Sequence, residues 1–147
     1  MFLPIRLAPD PILLERCSEW DFTATESFVD DLERDMIETM LTEDGIGLAA
    51  NQVGFKERFI AIQLRNHQCM MMYNPVLLES SEKTSTMFEG CLSFPDRAKS
   101  VTRSNTVKVQ YQNRYGDFFE KELTGIDARC FLHELDHLDG ITFENKQ

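Results

Sequence analysis

The sequence predicts an α+β domain: mostly antiparallel strands in small sheets, packed around a buried central helix. Three observations lead there. Residues 124–140 have helical spacing, and Ile126, Ala128, Cys130, Phe131, Leu132, Leu135 and Leu138 cover most of the circumference. A helix apolar nearly all round belongs inside a domain. Upstream, short strand-patterned runs alternate with polar turns, and the last two form a hairpin that delivers the chain to this helix. Finally, 147 residues suit one domain, 1–147, that buries a core without staples.

The first dozen residues carry Pro4, Pro9 and Pro11 and read as an extended arm with a Pro-Asp-Pro turn. Thr23 and Glu26 have capping-box spacing, and Phe28, Val29, Leu32, Met36, Ile37, Met40 and Leu41 recur at helical intervals. An amphipathic helix is therefore expected, ending near Gly45 with its acidic face in water. Gly45-Ile46-Gly47-Leu48-Ala49-Ala50-Asn51-Gln52 is a small-residue loop or short strand that another backbone could approach closely. Alone, it signals no more than a helix-to-strand turn.

Strands are expected over 58–63 and 70–73, with His67 a surface residue in the loop between them and Met70, Met71 and Met72 in strand core. Asn74-Pro75 breaks the pattern before Val76, and residues 80–83 turn the chain. The run 84–93 follows, closed by Pro95. Val107, Val109 and Tyr111 alternate in period two over 106–112, and a turn at 113–117 leads back into 118–123. Thr124 is placed to cap the central helix, Asp127 to complete a capping-box-like pair, and Gly140 to take the left-handed position after its end.

Fifteen Lys and Arg against twenty-five Asp and Glu give a net charge of −10, which argues against a nucleic-acid-binding role and is otherwise plain solubility. No apolar run approaches a membrane span, and the first residues have neither signal-peptide nor transit-peptide character. Cys17, Cys69, Cys91 and Cys130 lack framework spacing, so they are read as thiols or ligands rather than disulfides. The expected compartment is cytoplasm.

Within the central helix stands His133-Glu134-Leu135-Asp136-His137. Histidines four apart lie on one helical face, so both imidazoles can reach one divalent metal. Glu134 faces the same space and can take a proton from water activated there. The competing reading is a core helix that happens to hold two histidines. A catalytic site of this kind wants a third protein ligand. In metzincins the motif runs on to a further His, but position 143 is Phe. Glu144 is the downstream acid to consider, uncomfortably close to the helix end. Upstream, Cys130 lies one turn from His133 and reads as pocket lining, whereas a thiolate at Cys91 on a crossing strand would complete a Cys-His-His set. In isolation the default reading of Cys91 is an inert buried thiol.

Three stretches, Gly45 to Gln52, Glu89-Gly90-Cys91-Leu92-Ser93 and His133 to His137, resemble the signature motifs of peptide deformylase, in that family's order. The Pro9-Asp10-Pro11 entry and the acidic helix before Gly45 are also similar, so the likeness covers nearly the whole chain. It implies removal of the formyl group, as formate, from the N-terminal formyl-methionine of new polypeptides. It makes Cys91, His133 and His137 the metal ligands and Glu134 the general base. The Gln52 amide and the Leu92 N–H would bind the developing oxyanion, while Ile46, Gly47 and Gly90 would pair with the substrate backbone as an added strand. Ile126, Cys130 and His133 would line the methionine pocket, with Met87 a further member, and Glu89 with Arg103 would form a supporting ion pair.

The metal implied is Fe(2+), although a thiolate and two imidazoles suit Zn(2+), Ni(2+) or Co(2+) as well. Leu132 departs from the family's usual Gln, outside the ligand set. The sequence given also stops at Gln147, before the C-terminal helix of ordinary bacterial members, which is similar to deformylases carried by some phages. That points to a bacterial cytoplasm, or to that of a phage's host, with weak or no ribosome docking through this end. The partners expected are N-formylmethionyl peptides, with no nucleic acid, no membrane and a monomeric chain. Two other classes compete: a small metallopeptidase with a different third ligand, and a catalytically silent, metal-stabilised binding module.

Overall fold

A computed structural model describes residues 2–144. Helix α1, Glu26–Thr42, buries Val29, Leu32, Met36, Thr39 and Met40. Its cap is Thr25, whose hydroxyl accepts the Phe28 N–H at 3.2 Å. The expected Thr23 is instead spent on Asp21, giving both its N–H and its hydroxyl to that carboxylate in a local turn. The N-terminal arm ends in a single 3-10 turn, Pro11–Leu14, capped by Asp10 through the Ile12 N–H.

Seven strands follow: β1 Gly47–Ala49, β2 Phe59–Gln63, β3 Cys69–Ser80, β4 Thr84–Cys91, β5 Phe94–Ser104, β6 Thr106–Gln112 and β7 Phe118–Thr124. Five form an antiparallel sheet in the order β1-β2-β3-β6-β7, and β4 pairs with β5 as a separate antiparallel ribbon. Two sequence expectations give way here. Asn74-Pro75 does not end a strand. β3 runs through it on a register shift between Tyr73 and Val76, where Asn74 takes φ 50° and the proline needs no ladder bond. Pro95 does not close the fourth run either, because it is the second residue of β5. In a two-stranded ribbon β5 has a free edge, which tolerates proline, and most of its side chains stay exposed. Apolar alternation therefore gave no signal there.

Helix α2, Gly125–Leu138, packs against β1 and β2 and buries Ala128, Cys130, Phe131 and Leu138. Full burial of Phe131 alone is worth roughly 1.5–3 kcal/mol. Thr124 stands at the cap position but its side chain makes no capping bond. Arg65 claims the site instead, donating to the Thr124 hydroxyl and carbonyl, while Asp127 accepts the Arg65 N–H at 2.9 Å. Gly140 does take the left-handed conformation, φ 75°, and a side chain there would strike the Leu14 backbone. An aromatic group lies within the core of largely aliphatic residues. Trp20 meets Phe59 edge-on and Tyr73 at a tilt, and Phe55 closes on Phe59.

Among the described residues no helix is long and apolar enough to cross a membrane. The described part of the segment after Gly140 ends in a turn at Phe143 and Glu144; residues 145–147 lie outside the described residues.

Candidate metal centre and cleft

Helix α2 presents His133 and His137 one turn apart, with ring centroids 5.1 Å from each other. The end of β4 supplies Cys91. A register shift between Gly90 and Cys91 lets the strand turn in towards the helix at that residue. The ligand atoms of Cys91, His133 and His137 all lie within 4.8 Å of one another, and Cys91 Sγ stands 3.2 Å from His137 Nε2. Glu144, the downstream acid weighed from the sequence, is outside this group and pairs with Arg97 at 2.7 Å.

Glu89 supports the centre from behind. Its Oε1 accepts from His133 Nδ1 at 2.8 Å, which leaves Nε2 as the ring atom turned to the centre. Arg103 grips the same carboxylate with Nε at 2.6 Å and Nη2 at 3.0 Å, and reaches Asp136 on α2 with Nη1. Burial tends to raise the Glu89 pKa, but the bonds from His133 and Arg103 outweigh it and hold it at about 2. Burial likewise tends to lower His133, yet the Cys91 sulfur and the Glu89 carboxylate bring it up to about 10. His137 is pushed down to about 3 by burial and by the neighbouring His133 and Arg103 charges. The centre thus favours positive charge beside the Cys91 sulfur, while one imidazole stays a neutral donor. One sulfur, two imidazoles and a carboxylate behind one of the rings fit a small divalent cation.

Glu134 sits beside the centre with Oε1 buried and without a hydrogen-bond partner among the described residues. Burial raises its pKa to about 7. An unsatisfied buried carboxylate is costly, and such a group is tolerated where its protonation is used. Gln52, in the 3-10 turn Ala50–Val53, is oriented by the Ala49 N–H, which donates to its Oε1 at 2.9 Å. Its amide nitrogen is thereby turned to Ser93 Oγ at 3.1 Å and Cys91 Sγ at 3.6 Å.

A cleft of about 560 Å³ opens over these groups, bordered by Ile46, Gly47, Gly90, Leu92, Ile126 and Cys130. Met87 joins the lining too. The glycines stand there for different reasons. A Cβ on Gly47 would collide with Glu134 Oε2 and come within 2.8 Å of Cys130 Sγ, whereas one on Gly90 would meet nothing within 4 Å. Gly90 is therefore not demanded by the chain's own packing. Cys130 donates to the Ile46 carbonyl at 3.1 Å, and burial raises its thiol well above the usual range, so it is a neutral wall rather than one of the converging donors.

Sequence reading missed three participants. Asn51 donates to the His137 carbonyl at 2.6 Å, and Ser93 receives the Gln52 amide. Both stand inside the motifs already singled out. Arg129 was overlooked although a charge on a helix apolar nearly all round is itself a signal. It is buried and bonds Glu89 Oε2 at 2.6 Å.

The chain matches the sequence profile of the family described as polypeptide deformylase over residues 2–147. It is 44% identical over 140 residues to a peptide deformylase of Thermotoga neapolitana, covering 93% of this chain and 82% of that one. The crystal structure of a peptide deformylase from Thermotoga maritima superposes with a TM-score of 0.93 at 39% identity, covering 99% of this chain and 97% of the other. A probable peptide deformylase from Synechococcus phage S-SSM7 gives a TM-score of 0.89 at 36% identity, with 99% of each chain covered.

Proposed function

Because the chain belongs to the peptide deformylase family, and so removes N-formyl groups from nascent peptides, we propose that Cys91, His133 and His137 are the ligands of its divalent metal and Glu134 its proton carrier. The convergence of those three donor atoms within 4.8 Å carries this reading. When bound, the cation supplies Lewis-acid chemistry, acidifying water and polarising a carbonyl. Fe(2+) is the native ion proposed, with Zn(2+), Ni(2+) or Co(2+) as substitutes.

The rest is done by side chains. Water adds to the formyl carbon, the C–N bond breaks, formate leaves, and the amine nitrogen takes a proton. Glu134 accepts that proton from the water and delivers it to the amine. A pKa raised towards about 7 suits a group that must do both near neutrality. Gln52, its amide nitrogen fixed by the Ala49 N–H, donates to the oxyanion together with the Leu92 N–H. Ile46, Gly47 and Gly90 pair with the peptide backbone, while Ile126 and Cys130 take the methionine side chain; the cleft they border supports both roles.

We further read the protein as a cytoplasmic monomer, since its substrate is newly made polypeptide and one chain supplies every residue named. The net charge of −10 supports weak or no ribosome docking through the C-terminal end. Anaerobic preparation, metal analysis and a formate-release assay on a formyl-Met peptide test the whole reading. One ion per chain and release of formate are expected. Hydrolysis of internal peptide bonds instead would point to a metallopeptidase, and metal without any turnover to a silent binding module.

A further inference from the structure

Arg129 lies on α2, one turn before His133, and is buried. Its Nη1 donates to Glu89 Oε2 at 2.6 Å and to the Val101 carbonyl at 2.9 Å; its Nη2 donates to the Ser85 carbonyl at 2.8 Å. One guanidinium thus joins α2 to both strands of the β4–β5 ribbon. That ribbon carries Cys91, and α2 carries the two histidines. Arg103 also holds Glu89, but both residues belong to the ribbon, so their pair ties the ribbon to itself, and Arg103 itself meets α2 at Asp136. Arg129 bonds Oε2, the oxygen that His133 does not use, while the ring shares Oε1 with Arg103 Nη2.

The geometry points to Arg129 as a positioning residue of the metal centre: it locks the Glu89 carboxylate against His133 and holds the Cys91 strand in register with the His133–His137 helix. This rests on the metal-ligand reading above. The fork matters as much as the charge. A lysine ammonium cannot bond Glu89, Val101 and Ser85 in the same spread geometry. The site is therefore expected to loosen in two steps, through Arg129→Lys and then Arg129→Met.

The test uses holoenzyme of the wild type and both variants. Metal release to a chelator is timed, the visible spectrum of the Co(2+)-loaded protein is recorded, and folding is checked by circular dichroism. Arg129→Met is expected to release metal about 10- to 100-fold faster, with Arg129→Lys between it and the wild type and the Co(2+) bands shifted in both. A lowered Tm alone, with release rate and spectrum unchanged in a folded variant, would overturn the proposal and leave Arg129 a structural tie. If Arg129→Met fails to fold, Arg129→Lys decides by the same criterion. A wild type that retains no metal would sink the ligand reading instead, so the two failures are distinguishable.

Discussion

Glu89 Oε1 and His133 Nδ1 stand 2.8 Å apart, both side chains largely buried. A carboxylate only accepts, so Nδ1 keeps its hydrogen and Nε2 is the atom that gives up its proton when the ring serves as a ligand. One bond therefore sets which ring nitrogen of one proposed ligand faces the centre, and the bonds from His133 and Arg103 in turn keep Glu89 ionised in the interior.

Glu89→Gln should therefore do two things. It removes the carboxylate that two buried arginines share, leaving Arg103 with Asp136 alone, which costs about 3–5 kcal/mol at neutral pH. It also changes the acid response. The Glu89 pKa is lower in the folded chain, about 2 against 4.5, so its contribution is fully present above pH 4.5 and fades as pH falls towards about 2. Urea unfolding of the metal-free proteins should show the gap between wild type and variant closing over that window. A gap independent of pH would mean that Glu89 is not held ionised by these bonds.

Glu134→Gln is expected to keep the fold and the metal and to lose turnover by about 100- to 10,000-fold. Stability moves in the opposite sense from Glu89. The Glu134 pKa is raised by burial, so between pH 4.5 and about 7 the folded chain binds the extra proton and stability falls as pH rises. The neutral amide escapes that cost. In metal-free protein the variant's Tm should exceed the wild type's by more at pH 8 than at pH 5. Retention of most of the activity would remove Glu134 from the mechanism.

How much of this was legible depends on where the signal lives. The α2 motif and the strand β6–β7 hairpin follow from side-chain periodicity, and the structure has both. The β5 strand was invisible because Pro95, Asp96, Arg97, Ala98 and Lys99 carry no apolar alternation, and a two-stranded ribbon needs none. The capping residues were misplaced for a related reason. Thr23 has the right spacing, but Asp21 outcompetes the helix for its hydroxyl, and Arg65 takes that of Thr124; both choices are made by residues outside the local pattern. In the centre, residue spacing named the two histidines, while the choice of Cys91 over Cys130 rested on family resemblance. The structure places Cys91 Sγ beside His137 and commits Cys130 Sγ to the Ile46 carbonyl.

The two cysteines should separate cleanly. Cys91→Ser replaces a thiolate donor by a neutral hydroxyl and is expected to weaken metal retention, read as lower metal content and a changed Co(2+) spectrum. Cys130→Ser keeps a donor for the Ile46 carbonyl, so metal content should stay at the wild-type level while KM for formyl-Met peptides changes. Loss of metal in the Cys130 variant, with Cys91→Ser unaffected, would reverse the assignment.

Gly47→Ala and Gly90→Ala test the cleft by contrast. At position 47 the added methyl meets Glu134 Oε2 and Cys130 Sγ, so either the carboxylate or β1 must shift. A displacement of about 1 Å at the proton carrier is enough to cost on the order of 100-fold in rate. Gly47→Ala should therefore lower kcat, with metal content near that of the wild type, because the three proposed ligands are untouched. At position 90 the methyl meets open space, so the fold and Tm should hold. If a peptide backbone lies against this strand, the same methyl stands in its path, and KM rises while kcat changes little. A rise in KM in Gly90→Ala for long and short formyl-Met peptides alike would place the clash at the first residues of the substrate. Unchanged KM for both would show that the substrate strand does not run along β4, and the pairing assigned to Gly90 would fall.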